Sequence, residues 1–212
     1  MSKVDEIREL VKKGKGKLIA AAVQEALDAG EDANELLNVG MIGAMDEVGA
    51  QFTEGKIFVP EMLVAAKAMK KGVEVLKPHL SADGSSGLGK LIIGTVAGDL
   101  HDIGKNLVAM MLESAGFEVI DLGVDVSPEK FIEALKSNPD TKIVCCSALL
   151  TTTMPAIKST IDAFKEAGLR DQVKIMIGGA PVTQKYCDEV EADAYTADAA
   201  AAAQKAKELA AA

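Results

Sequence analysis

One histidine in this chain stands in a setting that suits metal ligation. The segment GDLHDIGKN places Asp99 two residues before His101 and Asp102 directly after it. A carboxylate that accepts a hydrogen bond from one imidazole nitrogen leaves the other nitrogen free, with its lone pair pointing outward. Because the chain has only 2 histidines, a zinc site of the usual ligand count is not expected here. A metal at His101 would have to bring its other ligands with it, as a macrocycle does.

The second half of the chain contains the elements that must position this histidine. Five short apolar runs, each followed by a helical segment, predict a parallel sheet with right-handed crossovers and helices on both faces. The runs are KLIIGTVA, FEVIDLG, KIVCCSALL, KIMIGG and DAYTA. We expect an α/β flavodoxin-like (Rossmann-like) doubly wound five-stranded domain of strand order 2-1-3-4-5. In that order a ligand crevice opens between the carboxyl ends of strands one and three.

Three segments that are distant in sequence converge on this crevice. The loop after strand one carries the histidine, the loop after strand three carries hydroxyl groups, and strand four ends in two glycines that remove side-chain bulk. The residues are Asp99, His101, Asp102 and Gly104 in the first segment, Ser147, Leu149, Thr151 and Thr153 in the second, and Gly178 and Gly179 in the third.

The usual occupants of such a fold do not suit these loops. A dinucleotide site wants G-x-G-x-x-G after strand one, where GDLHDIG has a histidine instead. A phosphate-accepting receiver domain would end strand three in aspartate, where this chain has Ser147. A flavin mononucleotide phosphate would be repelled by Asp99 and Asp102.

The first half of the chain has a different spacing of apolar residues. Apolar residues recur at helical spacing up to about His79, with breaks at Lys13 to Gly16, around Gly30, and from Thr53 to Pro60. About four helices are predicted, as in a small bundle. The glycine- and serine-rich stretch SADGSSGLG has the composition of a flexible linker. We therefore divide the chain into a helical bundle at 1–80, a linker at 81–89 and an α/β domain at 90–212.

Charge and hydropathy limit the partners. The 23 basic and 32 acidic residues give a net charge of −9, which disfavours nucleic acid and anionic membrane surfaces. No run of about 18 apolar residues is present, so no membrane span is expected. The first ten residues, MSKVDEIREL, include charged side chains where a secretion signal needs an apolar run. We expect a soluble, cytoplasmic protein.

The three segments together resemble the signature of cobalamin-binding domains. D-L-H-D-I-G, S-A-L and G-G match its D-x-H-x-x-G, S-x-L and G-G patterns, in the same order and at equivalent strand ends. The segment GMIGAMDEVGAQFTEGKIFVPEMLVAAKAM resembles the helical cap of methionine synthases and of corrinoid proteins in methyltransferase systems. The resemblance covers nearly the whole chain. By itself, His101 would be interpreted as a histidine at a helix start without a ligand.

The resemblance implies a cofactor and roles for several residues. The cofactor is cobalamin or a related corrinoid, bound base-off/His-on, with His101 replacing the corrinoid's own lower base on cobalt. Asp99 holds His101, and Thr153 completes a proton relay in a position where methionine synthases have serine. The nucleotide tail is contacted by Ser147, Leu149, Thr151, Gly178, Gly179 and Ala199, and the upper face of the corrin by Phe52 and Val59 of the cap. Further cofactor-binding residues are Gly98, Leu100, Asp102, Ile103 and Gly104.

The implied function is that of a non-catalytic corrinoid subunit that carries a methyl group on cobalt. One substrate-specific methyltransferase loads the methyl group, a second passes it to tetrahydrofolate or a thiol, and a reductive activator protein restores the cofactor. One alternative is a cobalamin-dependent sensor or regulator, but no basic helix-turn-helix precedes the cap. The other is the small subunit of an adenosylcobalamin mutase, against which the methyl-transfer type of cap argues. The methyl donor stays open among methanol, methylamines, methoxyarenes and betaines.

Overall fold

The structure is a computed structural model that describes residues 2–80 and 88–211. These residues form two compact units, a helical unit that holds residues 2–80 and an α/β unit that holds most of residues 88–211. The predicted linker, 81–89, lies outside the described residues except for Leu88 and Gly89. Within the described ranges, no helix is long and apolar enough to cross a membrane.

Four helical stretches build the helical unit, and the breaks between them fall at the predicted segments. Ser2 caps the first stretch, because its hydroxyl accepts from the Asp5 amide while the Asp5 carboxylate accepts from the Ser2 amide. The stretches are α1 (Lys3–Lys12), α2 (Ile19–Asp28), a third built from α3 (Ala33–Glu35), a π-helix (Leu36–Ile42) and α4 (Gly43–Thr53), and α5 (Val59–Leu76), which a 3₁₀ turn (Lys77–His79) follows.

The π-helical segment carried no sign in the sequence. Its side chains keep the apolar character of the bundle, with Leu36, Leu37 and Met41 buried. Gly40 lies within it, and a Cβ atom there would lie 3.4 Å from the Ile7 side chain of α1. The segment therefore packs close to α1, and π turns of this kind are rare in proteins.

The α/β unit alternates strands and helices as predicted. Each apolar run of the sequence forms a strand, and Pro128 and Pro155 stand in the first turns of two of the helices. The elements are β1 (Lys90–Thr95), α6 (Ile103–Ser114), β2 (Glu118–Asp121), α7 (Pro128–Ser137), β3 (Thr141–Ser147), α8 (Met154–Glu166), a 3₁₀ turn (Arg170–Gln172), β4 (Lys174–Gly178), α9 (Gln184–Val190), β5 (Ala194–Tyr195) and α10 (Ala199–Ala211).

The five strands form one parallel sheet of order β2-β1-β3-β4-β5, which confirms the predicted fold class and strand order. Its register places Thr95 beside Ser147, and Ser147 beside Gly178. The carboxyl ends of β1, β3 and β4 therefore stop in one row. The loops that follow these strands emerge at the same edge of the sheet, where the sequence predicted the crevice.

A dense core fixes the positions of these strand ends. Ile92, Val144 and Ile175 belong to three adjacent strands and share one apolar cluster with Phe131 of α7 and Phe164 of α8. All five side chains are fully buried. Because close-packed cores resist deformation, the loops at the carboxyl edge start from a rigid base.

Candidate functional site

The loop after β1 is tied to the end of its own strand. The Thr95 side chain is fully buried, and its hydroxyl donates to the backbone carbonyl of His101 at 2.8 Å. Gly98 adopts a left-handed φ of +79°, which glycine reaches without steric cost. The chain therefore turns back on itself immediately before Asp99 and brings His101 to the carboxyl edge of the sheet.

Asp99 is fully buried, and each of its carboxylate oxygens accepts two hydrogen bonds. Oδ1 accepts from the backbone amide of His101 at 3.0 Å and lies 2.8 Å from its ring Nδ1. Oδ2 accepts from the backbone amide of Leu149 and from the hydroxyl of Thr153, both at 2.7 Å. These four bonds fill the acceptor capacity of a carboxylate. Asp99 thus joins the loop after β1 to the loop after β3.

The same four contacts control the charge of Asp99. Burial acts to raise the pKa of this carboxyl group, because it penalises the ionised form. The hydrogen bonds from Leu149, Thr153 and His101 outweigh that penalty and hold the pKa well below its ordinary value. Asp99 is therefore ionised at neutral pH and can only accept hydrogen bonds.

An ionised Asp99 selects the tautomer of His101. Because the carboxylate has no proton to donate, the close contact places the proton on Nδ1 of the neutral ring. Nε2 then keeps its lone pair. The His101 side chain is 49% exposed, whereas that of Asp99 is fully buried, so the ring emerges from the protein while its inner nitrogen is held. This is the arrangement of a ligand prepared for a metal.

Exposed apolar side chains lie in the same two loops as these residues and at the start of α6. Leu100 and Ile103 are 73% and 84% exposed, and Leu149 and Leu150 in the loop after β3 are 40% and 43% exposed. Large apolar side chains that remain exposed together mark binding surfaces. Beside a half-exposed imidazole they fit a flat macrocycle that supplies the other ligands of its own metal.

The end of β4 is shaped by one glycine. Gly179 has a φ of +126°, and a Cβ atom there would lie 1.8 Å from the carbonyl oxygen of Ala148. Gly178 has ordinary backbone angles, and the nearest atom to a Cβ there is the Thr196 carbonyl oxygen at 3.6 Å. Gly179 therefore lets the β4 loop pass directly against the β3 loop, one residue before Leu149.

The structure brings most of the predicted site residues of the α/β unit to the carboxyl edge. Gly98, Asp102, Gly104 and Thr151 are exposed in the two loops or at the start of α6, while Ser147 is half-buried at the end of β3. Ala199, at the start of α10, is buried with 4% exposure. Phe52 and Val59 belong to the helical unit, where Phe52 is half-buried and Val59 is 39% exposed.

Two groups at this edge were missed by the sequence reasoning. The backbone amide of Leu149 is one, since main-chain donors leave no mark in the side-chain pattern. Asp125, in the loop after β2, is the other. Its carboxylate accepts from the Gly98 amide at 2.7 Å, and its own amide donates to the carbonyl of Asp99 at 3.0 Å. The one feature of this aspartate that could have marked it is its tolerance of a left-handed φ, here +53°.

Comparison with known proteins identifies the family of this chain. Family models described as a B12 binding domain match residues 4–77 and residues 89–207. Dimethylamine corrinoid protein 1 of Methanosarcina acetivorans is 46% identical over 215 residues, which cover 99% of each chain. Trimethylamine corrinoid protein 2 of Methanosarcina mazei is 48% identical over 192 residues, covering 90% of this chain and 88% of that protein.

A solved structure extends the agreement to three dimensions. The methanol:cobalamin methyltransferase complex of Methanosarcina barkeri contains a chain that matches with a TM-score of 0.87 and 30% identity, covering 99% of this chain and 80% of that one. The matched family models, the full-length relatives and the shared fold lead to one conclusion. The chain belongs to the family of B12-binding corrinoid proteins.

Proposed function

We propose that this protein carries a methyl group on the cobalt of a corrinoid, between one methyltransferase that loads it and another that unloads it. The observation that carries the proposal is the half-exposed His101, whose Nδ1 is held by the buried Asp99 carboxylate, in a chain that aligns over its full length with a corrinoid protein. The relatives favour this function over a cobalamin-dependent sensor or a mutase subunit.

His101 would bind the lower face of the cobalt through Nε2, in the base-off/His-on state. When bound, the corrinoid supplies a cobalt centre that can accept and release a methyl group. The protein contributes the orientation of the imidazole ring. Asp99 holds the Nδ1 atom of the ring, and Thr95 holds the backbone carbonyl of His101. Leu100 and Ile103, close to His101 in the sequence, offer exposed apolar surface.

Asp99 and Thr153 would form the proton relay behind the ligand. The Thr153 hydroxyl carries one proton and has two acceptors, Oδ2 of Asp99 at 2.7 Å and the carbonyl of Leu150 at 2.9 Å. The ionised carboxylate is the stronger acceptor, so the proton points to Asp99 while the carboxylate is charged. If Asp99 takes up a proton, the hydroxyl can turn to Leu150 without leaving its position.

The remaining predicted residues would contact other parts of the cofactor. The loop and helix start after β1 present Gly98, Asp102 and Gly104, and Gly179 keeps the β3 and β4 loops close. For the corrinoid's nucleotide tail we propose Ser147, Leu149, Thr151, Gly178, Gly179 and Ala199, and for the upper face of the corrin Phe52 and Val59.

The methyl donor that we propose is a methylated amine. The dimethylamine and trimethylamine corrinoid proteins are 46% and 48% identical to this chain, against 30% for the chain in the methanol complex. The partners would be an amine-specific methyltransferase, a second methyltransferase that delivers the group to tetrahydrofolate or a thiol, and a reductive activator. The protein itself would be the non-catalytic subunit of that system.

The test is methylation of the reconstituted protein. The chain is loaded with hydroxocobalamin, reduced with titanium citrate without oxygen, and mixed with a dimethylamine-, trimethylamine- or methanol-specific methyltransferase and its substrate. We expect the absorbance spectrum of the methylated cofactor with an amine partner and not with methanol. Methylation by the methanol partner alone would contradict the donor. A loaded protein that none of these partners methylates would contradict dimethylamine, trimethylamine and methanol as donors.

His79→Ala is the matched control for that experiment. His79 is the second histidine of the chain and lies in the 3₁₀ turn after α5, in the helical unit. Its replacement should leave methylation unchanged, whereas His101→Ala should lower both cofactor retention and methylation.

A further inference from the structure

The loop after β2 makes two hydrogen bonds to the beginning of the loop that carries His101. Asp125 donates its backbone amide to the carbonyl of Asp99, and its carboxylate accepts from the amide of Gly98 at 2.7 Å. The two bonds run in opposite directions between the same two loops. Together they fix the main chain on both sides of the Gly98–Asp99 peptide bond, and so hold the residue whose carboxylate contacts the imidazole.

Both loops have unusual backbone angles at this contact. Asp125 has a φ of +53° and Gly98 a φ of +79°. A left-handed φ in a residue other than glycine has an energetic cost, and aspartate is among the residues that tolerate it best. The cost at Asp125 is offset by two hydrogen bonds, one of them to a charged acceptor. The conformation therefore serves the contact with the loop of Asp99.

A second contact, from the end of β2, holds the segment that follows His101 at the start of α6. Lys105, in the first turn of α6, has a side chain that is 2% exposed, and its Nζ lies 2.5 Å from Oδ2 of Asp121 at the end of β2. Nζ also donates to the side-chain oxygen of Asn106 at 2.7 Å, and the Asn106 amide donates to Asp102 at 3.1 Å. A buried lysine is costly unless it is paired. Here the lysine is paired with Asp121, and Asn106 connects it to Asp102, the residue next to His101.

We propose that Asp125 and the Asp121–Lys105 ion pair are positioning residues that clamp the two ends of the His101 loop. This proposal rests on the proposed role of His101 as the lower ligand. Asp125 acts on the main chain of Asp99, whose carboxylate sets the tautomer of the ring. The ion pair acts through Asn106 on Asp102. The clamp keeps the His101 ring in one orientation, with Nε2 at one place, before any cofactor binds.

Asp125→Gly and Asp125→Asn form a matched pair for the first contact. Glycine adopts the left-handed φ freely and removes only the carboxylate, whereas asparagine tolerates that φ and keeps an acceptor oxygen. The readout is the nitrogen spectrum of the cofactor-free protein labelled with ¹⁵N-histidine, recorded where the rings are neutral. Because the chain has 2 histidines, His79 serves as the internal reference.

In the wild type we expect the His101 ring to be in the single form with the proton on Nδ1. Asp125→Gly should give signals averaged between the two tautomers and should weaken hydroxocobalamin binding about 10-fold, at the lower end of the effects seen for residues behind a metal ligand. Asp125→Asn should show the wild-type ring spectrum and the wild-type affinity for hydroxocobalamin. A glycine variant with the wild-type ring spectrum and wild-type affinity would overturn the role of Asp125.

Lys105→Met tests the second contact, with Lys185→Met as control. Methionine fills the space of the buried lysine, and Asp121, whose side chain is 37% exposed, can be hydrated again. Lys185 is on α9 with an 87% exposed side chain. We expect Lys105→Met alone to average the His101 signals while the protein stays folded, and an unchanged spectrum would remove the ion pair from the proposal. If the wild type binds no corrinoid, the proposed function fails, and the cofactor-free spectra still decide on the clamp.

Discussion

The hydroxyl of Thr153 lies 2.7 Å from Oδ2 of Asp99, although the two residues are 54 positions apart in the chain. Thr153 stands directly before α8 and is 7% exposed, and Asp99 is fully buried. The contact ties the third strand's loop to the first strand's loop behind the imidazole. Any change at Thr153 therefore reaches His101 through one carboxylate.

Replacing that hydroxyl tests whether its hydrogen bond to Asp99 stabilises the folded protein. Thr153→Ser keeps the donor and should keep wild-type stability within about 1 kcal/mol. Thr153→Val keeps the shape but removes a bond to a buried charge, so the free energy of unfolding should fall by about 1.5 to 3 kcal/mol. Urea denaturation of the cofactor-free proteins measures the difference. Equal stabilities of the serine and valine variants would contradict a stabilising hydrogen bond from this hydroxyl to Asp99.

His101→Ala should abolish the bond between protein and cobalt. The wild type is loaded with cobalamin, reduced to the Co(II) form and examined by electron paramagnetic resonance. If the protein is labelled with ¹⁵N-histidine, the nitrogen splitting should change from a triplet to a doublet, because the two isotopes differ in nuclear spin. The alanine variant should lose this doublet.

The isotope label distinguishes the two sources of nitrogen in that experiment. A splitting that stays a triplet in the labelled protein would come from the corrinoid's own base, and His101 would not be the ligand. His79→Ala, which leaves the α/β unit untouched, should behave as the wild type does.

Asp99→Asn should weaken the binding of His101 to the corrinoid, although a side chain of the same size still stands behind the ring. An asparagine oxygen can still accept from the His101 ring, but its NH₂ group would then face the Leu149 amide, which is also a donor. We expect corrinoid affinity to fall about 10 to 100-fold. The Co(II)/Co(I) midpoint potential should move to a more positive value, since a weaker lower ligand stabilises Co(II) less. An unchanged midpoint in a spectroelectrochemical titration would contradict the relay.

The charge of Asp99 also predicts how stability depends on pH. Its pKa is lower in the folded protein than the ordinary value of 3.8, so the unfolded chain binds the proton more readily. The stability that Asp99 contributes is therefore complete above that value and is lost as the pH falls below it, by up to about 1.4 kcal/mol per pH unit. Unfolding free energies of the wild type and Asp99→Asn should converge as the pH drops. Parallel curves from neutral pH to pH 3 would contradict the depressed pKa.

Sequence patterns predicted the parts of this structure that follow from periodicity. Five apolar runs, each with a helix after it, leave few arrangements once crossovers must be right-handed, and the flavodoxin-like order predicted among them is the observed β2-β1-β3-β4-β5. The π-helix at Leu36–Ile42 and the clamp by Asp125 could not be predicted in this way. The π-helix depends on how a helix packs against its neighbours, and Asp125 is marked only by a backbone angle that a polar loop residue adopts in three dimensions.

Gly179→Ala and Gly178→Ala test how the loops after β3 and β4 are held. At position 179 a Cβ atom would lie 1.8 Å from the Ala148 carbonyl oxygen, and the φ of +126° disfavours any side chain. The β4 loop must move away from the β3 loop, so we expect a loss of about 3 kcal/mol or more in unfolding free energy. At position 178 the nearest atom is 3.6 Å away, and the variant should fold as the wild type does.

The two glycine variants should then differ in how they lose the cofactor. Ala148 precedes Leu149, whose amide donates to Asp99, so a shift at Gly179 reaches the imidazole and should disturb the His101 ring signal even without a corrinoid. Gly178→Ala should leave that signal intact and weaken the binding of complete cobalamin, while cobinamide, which lacks the nucleotide tail, should bind as well as it binds to the wild type. Equal loss of both corrinoids in Gly178→Ala would mean that this glycine contacts the corrin and not the tail.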